Sequence, residues 1–247
     1  MNNYISLEQA QPEIQRKFIA GVYFKMVFAL AITAAVAYFI SIFFGTENIP
    51  AVFYENNLYP NIRYFLFKNI HTIMLVSVVA ELAVVFVLSF NISNLSTLTA
   101  HILFILYSIL TGISFASIFI TFEIKSIFKV FAVSSLMFLG MSIYGAKTDS
   151  DLRSAGRYLF MGLIGIIIAS LLNFFFRSST MDWIICLVGV GIFVGLTAYD
   201  TQKILMMSKY ADGTETYKKV EILGALELYL DFINIFLKLI RLFGKRK

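Results

Sequence analysis

Seven apolar runs, separated by short polar stretches, organise this chain, at about 18–44, 71–90, 98–120, 127–146, 158–176, 183–204 and 224–244. None alternates with period two as a half-buried strand would, and each approaches the ~20 residues that carry a helix across a bilayer. Helices satisfy their own backbone in hydrocarbon, so the pattern predicts an all-α membrane protein with seven transmembrane helices. It divides into a polar N-terminal tail (1–17), a seven-helix domain (18–244) and a basic tail (245–247). The connections are short except for 45–70, with Pro50 and Pro60, and a charged stretch at 205–223.

The last run breaks the apolar rule. "ALELYLDFINIFLKLIRLFG" holds Glu227, Asp231, Asn234, Lys238 and Arg241. At about 100° per residue these five fall within an arc of roughly 80°, one stripe on an otherwise apolar helix. A charge at mid-bilayer costs at least about 2.5–3.5 kcal/mol, so the stripe is expected to face protein or water, which makes this an inner helix. Lys238 and Arg241 are long enough to snorkel to headgroups; Asp231 is too short and too deep.

The sixth run supplies a second acid in "WIICLVGVGIFVGLTAYDTQKIL". Asp200 is expected about one turn from the end of its helix and Asp231 about two turns into the next, so an antiparallel pair brings them to similar depth. Thr197, Thr201, Glu227 and Asn234 stand at helical spacing from the two acids and form a candidate polar shell. Gly191 and Gly195 offer a small-xxx-small face for close helix packing. Against this stands a plainer reading of Asp200 as an interfacial acid paired with Lys203. Glu81 lies mid-way along the second run, where it is expected to be hydrogen-bonded inside the bundle. His101 reads as interfacial, Ser108, Thr111 and Ser114 as helix–helix hydrogen-bonding groups, and Lys25 as a snorkelling side chain.

Composition agrees with the pattern: 59% of the 247 residues are hydrophobic and 14% charged. The formal charge of +5 arises from Lys and Arg in short loops and the tail, which suits anionic lipid rather than nucleic acid. One cysteine, Cys186, and two histidines leave no disulfide or His-rich metal site to build. The polar opening stretch lacks the apolar core of a signal peptide, so no cleavage is expected. Placing the N-terminus in the cytoplasm puts Arg16, Lys17, Lys147, Arg153, Arg157, Lys203, Lys209, Lys218 and Lys219 inside. It leaves Arg63, Lys68, Lys125, Lys129 and Arg177 outside. Seven full spans would carry the basic residues from Lys238 onward outward, so the last segment either crosses under the cover of protein or re-enters. A full span is the reading adopted.

These residues also carry a resemblance. "LTAYDTQKI" and "LYLDFINIFL", with "AELAVVFVLS", "YSILTGISFASIF" and "SIYGAKTDSDL" earlier in the same order, resemble the transmembrane Bax inhibitor motif family over nearly the whole chain. The resemblance implies a seven-helix fold whose last helix is wrapped by the other six. It also implies a pH-sensitive calcium leak with two aspartates as sensor, at the positions of Asp200 and Asp231. Some bacterial members carry an arginine cluster at the end of the second helix. Here "SFNISNLST" stands there, leaving Lys203 or the basic loops to pair with the sixth-helix aspartate.

Two carboxylates in a low-dielectric pocket cannot both ionise cheaply, so the pair is expected to share a proton, titrate as a unit and switch near physiological pH. Calcium favours six to eight oxygens; Asp200 and Asp231 with their neighbours offer only some, which suits weak, transient binding of a permeant ion rather than a tightly bound cofactor. The alternative is a membrane interaction protein acting on a protease or a cell-death partner without permeation. An intramembrane aspartyl protease is disfavoured, since "LYLD" replaces Gly-x-Gly-Asp at the second aspartate, and no enzyme is expected. The features fit a bacterial plasma membrane, with an endoplasmic reticulum origin left open.

Overall fold

A computed structural model describes residues 12–45 and 69–247. Among them every long element is a helix and there is no β-strand: α1 (Pro12–Gly45), α2 (Ile70–Asn91), α3 (Thr97–Thr121), α4 (Ile124–Lys147), α5 (Arg153–Phe176), α6 (Ser179–Ser208) and α7 (Glu215–Phe243). A 3-10 turn at Ile92–Asn94 follows α2. Pro50, Pro60, Arg63, Lys68 and the first part of the polar tail lie outside the described residues.

Each apolar run is a helix, extended at several ends by polar turns. α1 starts at Pro12, where a proline at the first helical position costs no hydrogen bond. Ser96 caps α3 by accepting from the Thr99 N–H, and Ser178 caps α6 by accepting from Met181. Arg177, with φ of 51°, closes α5 in the left-handed region, and its N–H donates to Asn173 O at 2.7 Å. The charged connection expected at 205–223 is shorter: α6 continues to Ser208 and α7 begins at Glu215. Charged residues there do not end the helix, because a helix leaving the hydrocarbon tolerates them on every face. In the remaining turn, Gly213 takes the positive φ of 77°. Hydrogen bonds from the Thr214 hydroxyl and backbone hold the exposed Asp212 carboxyl below its ordinary range.

Among the described residues six helices, α1 to α6, are long and apolar enough to cross a membrane. α7 falls outside that set, as its charges require. Its apolar face is nonetheless buried, with Ile222, Leu228, Tyr229 and Ile235 fully covered. α5 is the opposite, with Tyr158, Leu171, Phe174, Phe175 and Phe176 exposed, which is a lipid-facing composition.

The chain forms two compact units. In the unit Phe28–Phe122, Thr33 Oγ1 donates to Ser108 O at 2.9 Å, and Gly112 lets α3 rest on Val36 and the Thr33 carbonyl of α1. The other unit joins Met1–Val27 to Glu123–Lys247. Here α7 packs along α6 and α4, α6 also meets α4 and α5, and Phe232 stacks edge-on against Phe131 and Phe138 of α4. The chain end is tied to the start of α4: Glu123 N–H donates to Lys245 O at 2.9 Å, Lys245 N–H to Ser126 Oγ at 2.9 Å, and the Lys245 ammonium pairs with Glu123 at 2.8 Å.

Candidate functional site

α6 and α7 are consecutive and antiparallel, and their side-chain pairs show the register. Glu227 lies beside Lys203, Asp231 beside Asp200, Lys238 beside Gly189 and Arg241 beside Asp182, one number falling as the other rises. α7 is therefore one continuous helix running along α6. Both helices outrun the sequence expectation, so Asp200 lies about two turns before the end of α6 and Asp231 about four turns into α7.

The polar stripe of α7 faces a cavity of about 850 Å³ between α5, α6 and α7. α6 contributes Tyr199, Asp200 and Lys203, α7 contributes Glu227, Asp231, Asn234 and Lys238, and α5 supplies a wall of Phe160, Leu163, Ile166, Ile167 and Phe174. Asp200 and Asp231 both line this cavity, and the Asp200 charge acts on the Asp231 carboxyl. Asp231 is 4% exposed, and its Oδ2 is buried with no hydrogen-bond partner. An orphaned carboxylate oxygen in such a place is expensive unless a proton or a cation meets it.

Lys203 Nζ donates to Glu227 Oε1 at 2.6 Å and also lies in the field of Asp200. It is thus shared between two acids rather than paired with Asp200 alone. Thr197 is fully buried near Asp231, its hydroxyl donating to Phe193 O at 2.9 Å. Asn234 lines the cavity and donates to Leu230 O at 2.8 Å.

The structure does not bring all the predicted residues together. Thr201 turns away from the cavity to Tyr23 of α1, with 3.2 Å between the hydroxyls. It directly follows Asp200, about 100° around the helix, so the two residues serve different faces. Glu81 belongs to the Phe28–Phe122 unit, where it accepts a 2.5 Å hydrogen bond from Ser114. The Ser108 hydroxyl bonds back to Phe104 O of its own helix while its carbonyl accepts from Thr33 of α1, and His101 Nδ1 bonds to Thr97 O.

Three further expectations need correction. Lys25 does not snorkel; it pairs with Glu221 of α7, and both side chains are largely buried. Gly21 makes room for that pair, since a Cβ there would stand 1.7 Å from Glu221 Oε1. Gly191 meets nothing within 4 Å, so the Gly191/Gly195 face is not used as a pair. Of the two, only Gly195 receives a neighbour, Leu159 of α5, while α4 and α6 come close at Gly145, which lies against the Ala198 carbonyl. Arg241 does not simply reach for headgroups, because it pairs with Asp182 at 3.3 Å.

The sequence reading missed the Lys25–Glu221 pair and the α5 wall. Gly21 was the available signal for the first; nothing in the uniform apolarity of α5 announces which of its faces lines a cavity.

Comparison with known proteins is consistent with this picture. Residues 15–247 match the family described as Inhibitor of apoptosis-promoting Bax1. Over 232 residues the chain is 44% identical to Inner membrane protein YbhL of Escherichia coli strain K12, covering 93% of this chain and 92% of that one. It is 40% identical to an uncharacterized protein of Borreliella burgdorferi, with 98% and 99% covered. A membrane protein of Streptococcus pyogenes serotype M1 is 31% identical, with 99% of each chain covered.

Proposed function

Since the chain belongs to the Bax inhibitor-like family of integral membrane proteins, we propose that it is a pH-gated calcium leak. The sensor is the Asp200–Asp231 pair, and the fold is a seven-span bundle in which α7 is the inner helix. The observation that carries this reading is the buried Asp231 oxygen without a partner, facing the Asp200 carboxyl in a cavity that holds Glu227 and Lys203 as well. One proton shared by the pair lets α6 and α7 pack closely. Its loss sets like charges side by side in a medium of low dielectric, and parting the helices relieves them. The continuous course of α7 along α6 supports a seventh span.

Calcium enters as the permeant ion. One carboxylate oxygen of the local set, Glu227 Oε1, is already engaged by Lys203. Such a set suits a transient contact completed by water rather than a resident ion. The chain acts without chemistry on a substrate, in a bacterial inner membrane like that of its Escherichia coli relative, with the N-terminus inside.

Calcium flux into proteoliposomes of the purified protein, measured across pH, tests the reading. Asp231→Asn should abolish the pH response, and unchanged flux with unchanged pH response would remove the proposal. The family description, which names an apoptosis-promoting partner, supports a second reading as an interaction protein. No flux from the purified protein at any pH would favour it.

A further inference from the structure

The cavity has a second end that the leak reading does not use. Lys238 lines it two turns along α7 from Asp231, about 10 Å by helix rise. Its methylenes lie over Gly189, where an added Cβ would come within 3.1 Å of Lys238 Cε. Arg241 nearby is already paired with Asp182, whereas Lys238 makes no ion pair or hydrogen bond among the described residues. A half-buried ammonium is thus left facing an apolar groove. The α5 side of that groove, from Phe160 to Phe174, runs about 20 Å and presents apolar side chains along most of its length.

We propose that this groove binds a single-chain anionic amphiphile, a long-chain carboxylic acid, with its carboxylate on Lys238 and its acyl chain laid along α5. Charge sets the direction. Asp200, Asp231 and Glu227 at the far end repel a carboxylate, while Lys238 offers an ammonium with no ion-pair partner among the described residues, the nearby Asp182 being paired with Arg241. Depth agrees: Lys238 is one turn from the half-exposed Arg241–Asp182 pair that marks the end of the two helices, so the headgroup stays near the interface while the chain runs inward. Size separates the occupant from a phospholipid. A cavity of about 850 Å³ accepts one ligand of modest size, and a two-chain lipid would leave its second chain outside. The exposure of Ile167, Leu171 and Phe174 opens the groove sideways to lipid, which gives an acyl chain its entry. This inference rests on the cavity and on Lys238, and it holds whether or not calcium crosses.

The chain's single tryptophan, Trp183, stands next to Asp182 at the Lys238 end and reports on the site. The full-length protein in phospholipid nanodiscs is titrated with a fatty acid brominated near its carboxylate, and Trp183 quenching is followed. Saturable quenching is expected, with apparent affinity lowered about tenfold in Lys238→Met and retained in Lys238→Arg. Quenching that rises linearly with mole fraction, or curves that coincide for the native protein and Lys238→Met, would overturn the proposal. So would a phospholipid occupant, which in these discs is already in excess and would leave no saturable signal. Should Lys238→Met fail to fold, Ser170→Phe fills the groove from its exposed α5 side. It must abolish saturation, and unaltered quenching in that variant overturns the proposal equally.

Discussion

Lys203→Met removes the ammonium that pairs with Glu227 and lies in the field of Asp200. The native ammonium is 2.6 Å from Glu227 Oε1, with the two side chains 29% and 35% exposed. Removing one partner of a fully buried pair costs about 3–5 kcal/mol, and a surface pair contributes about 0–1 kcal/mol. Partial exposure places this pair between those limits, at roughly 2 kcal/mol. For a chain of this size that corresponds to a melting temperature about 4–8 °C lower. Thermal unfolding in detergent at neutral pH measures it. Glu227→Gln alone should also destabilise, while the double variant should recover part of the loss, because neither charge is then stranded. The sign with pH follows. Without Lys203 the carboxyls of Asp200, Asp231 and Glu227 repel one another when ionised, and protonating them relieves the repulsion. The deficit of Lys203→Met should therefore shrink as pH falls. A single variant within about 0.5 kcal/mol of the native protein, or strictly additive losses in the double, would show that Lys203 does not hold Glu227 in a partly buried pair.

Three other outcomes are expected. Gly145→Ala places a Cβ 2.2 Å from the Ala198 carbonyl oxygen, backbone that cannot turn aside, so α4 and α6 must part at a cost of about 1–3 kcal/mol; Gly191→Ala, with nothing within 4 Å, should instead gain about 0.5–1 kcal/mol. Melting curves of the two variants read the contrast. Gly21→Ala displaces the Glu221 carboxylate and should weaken the hold of Lys25 on α7, detected as a lower melting temperature that Glu221→Ala largely masks. Asp231→Leu should leave stability unchanged or raise it, since it exchanges an unsatisfied buried oxygen for an apolar side chain of similar size; a loss above about 2 kcal/mol would show that the carboxyl is a structural element.

Legibility in the sequence differed from element to element. The helices were readable because apolar length is a local property, and only their polar ends were missed, as at Glu215 and Ser208. The stripe of α7 was readable from helical spacing, and with it the reason that this helix, among those described, lacks a membrane-like composition. Asp200 and Asp231 could be set at one depth because the two helices are consecutive and antiparallel, which leaves little freedom in their register. Thr201 was misplaced because one residue's step about the helix turns a side chain to another neighbour, here Tyr23. Lys25 was misjudged because its partner, Glu221, is 196 positions away.

What the chain determines by itself is thus a membrane protein built of long helices, with one helix bearing a polar stripe that needs cover, since hydrocarbon rejects unshielded charge wherever it lies. Tertiary structure alone decided that Lys203 serves Glu227 and Asp200 together, that Lys25 holds Glu221, and that α5 closes a cavity over the acids. Those outcomes depend on which helices meet and how closely. That closeness is set by points such as Gly21, Gly145 and Gly195, where a missing side chain acts only once a particular neighbour has arrived.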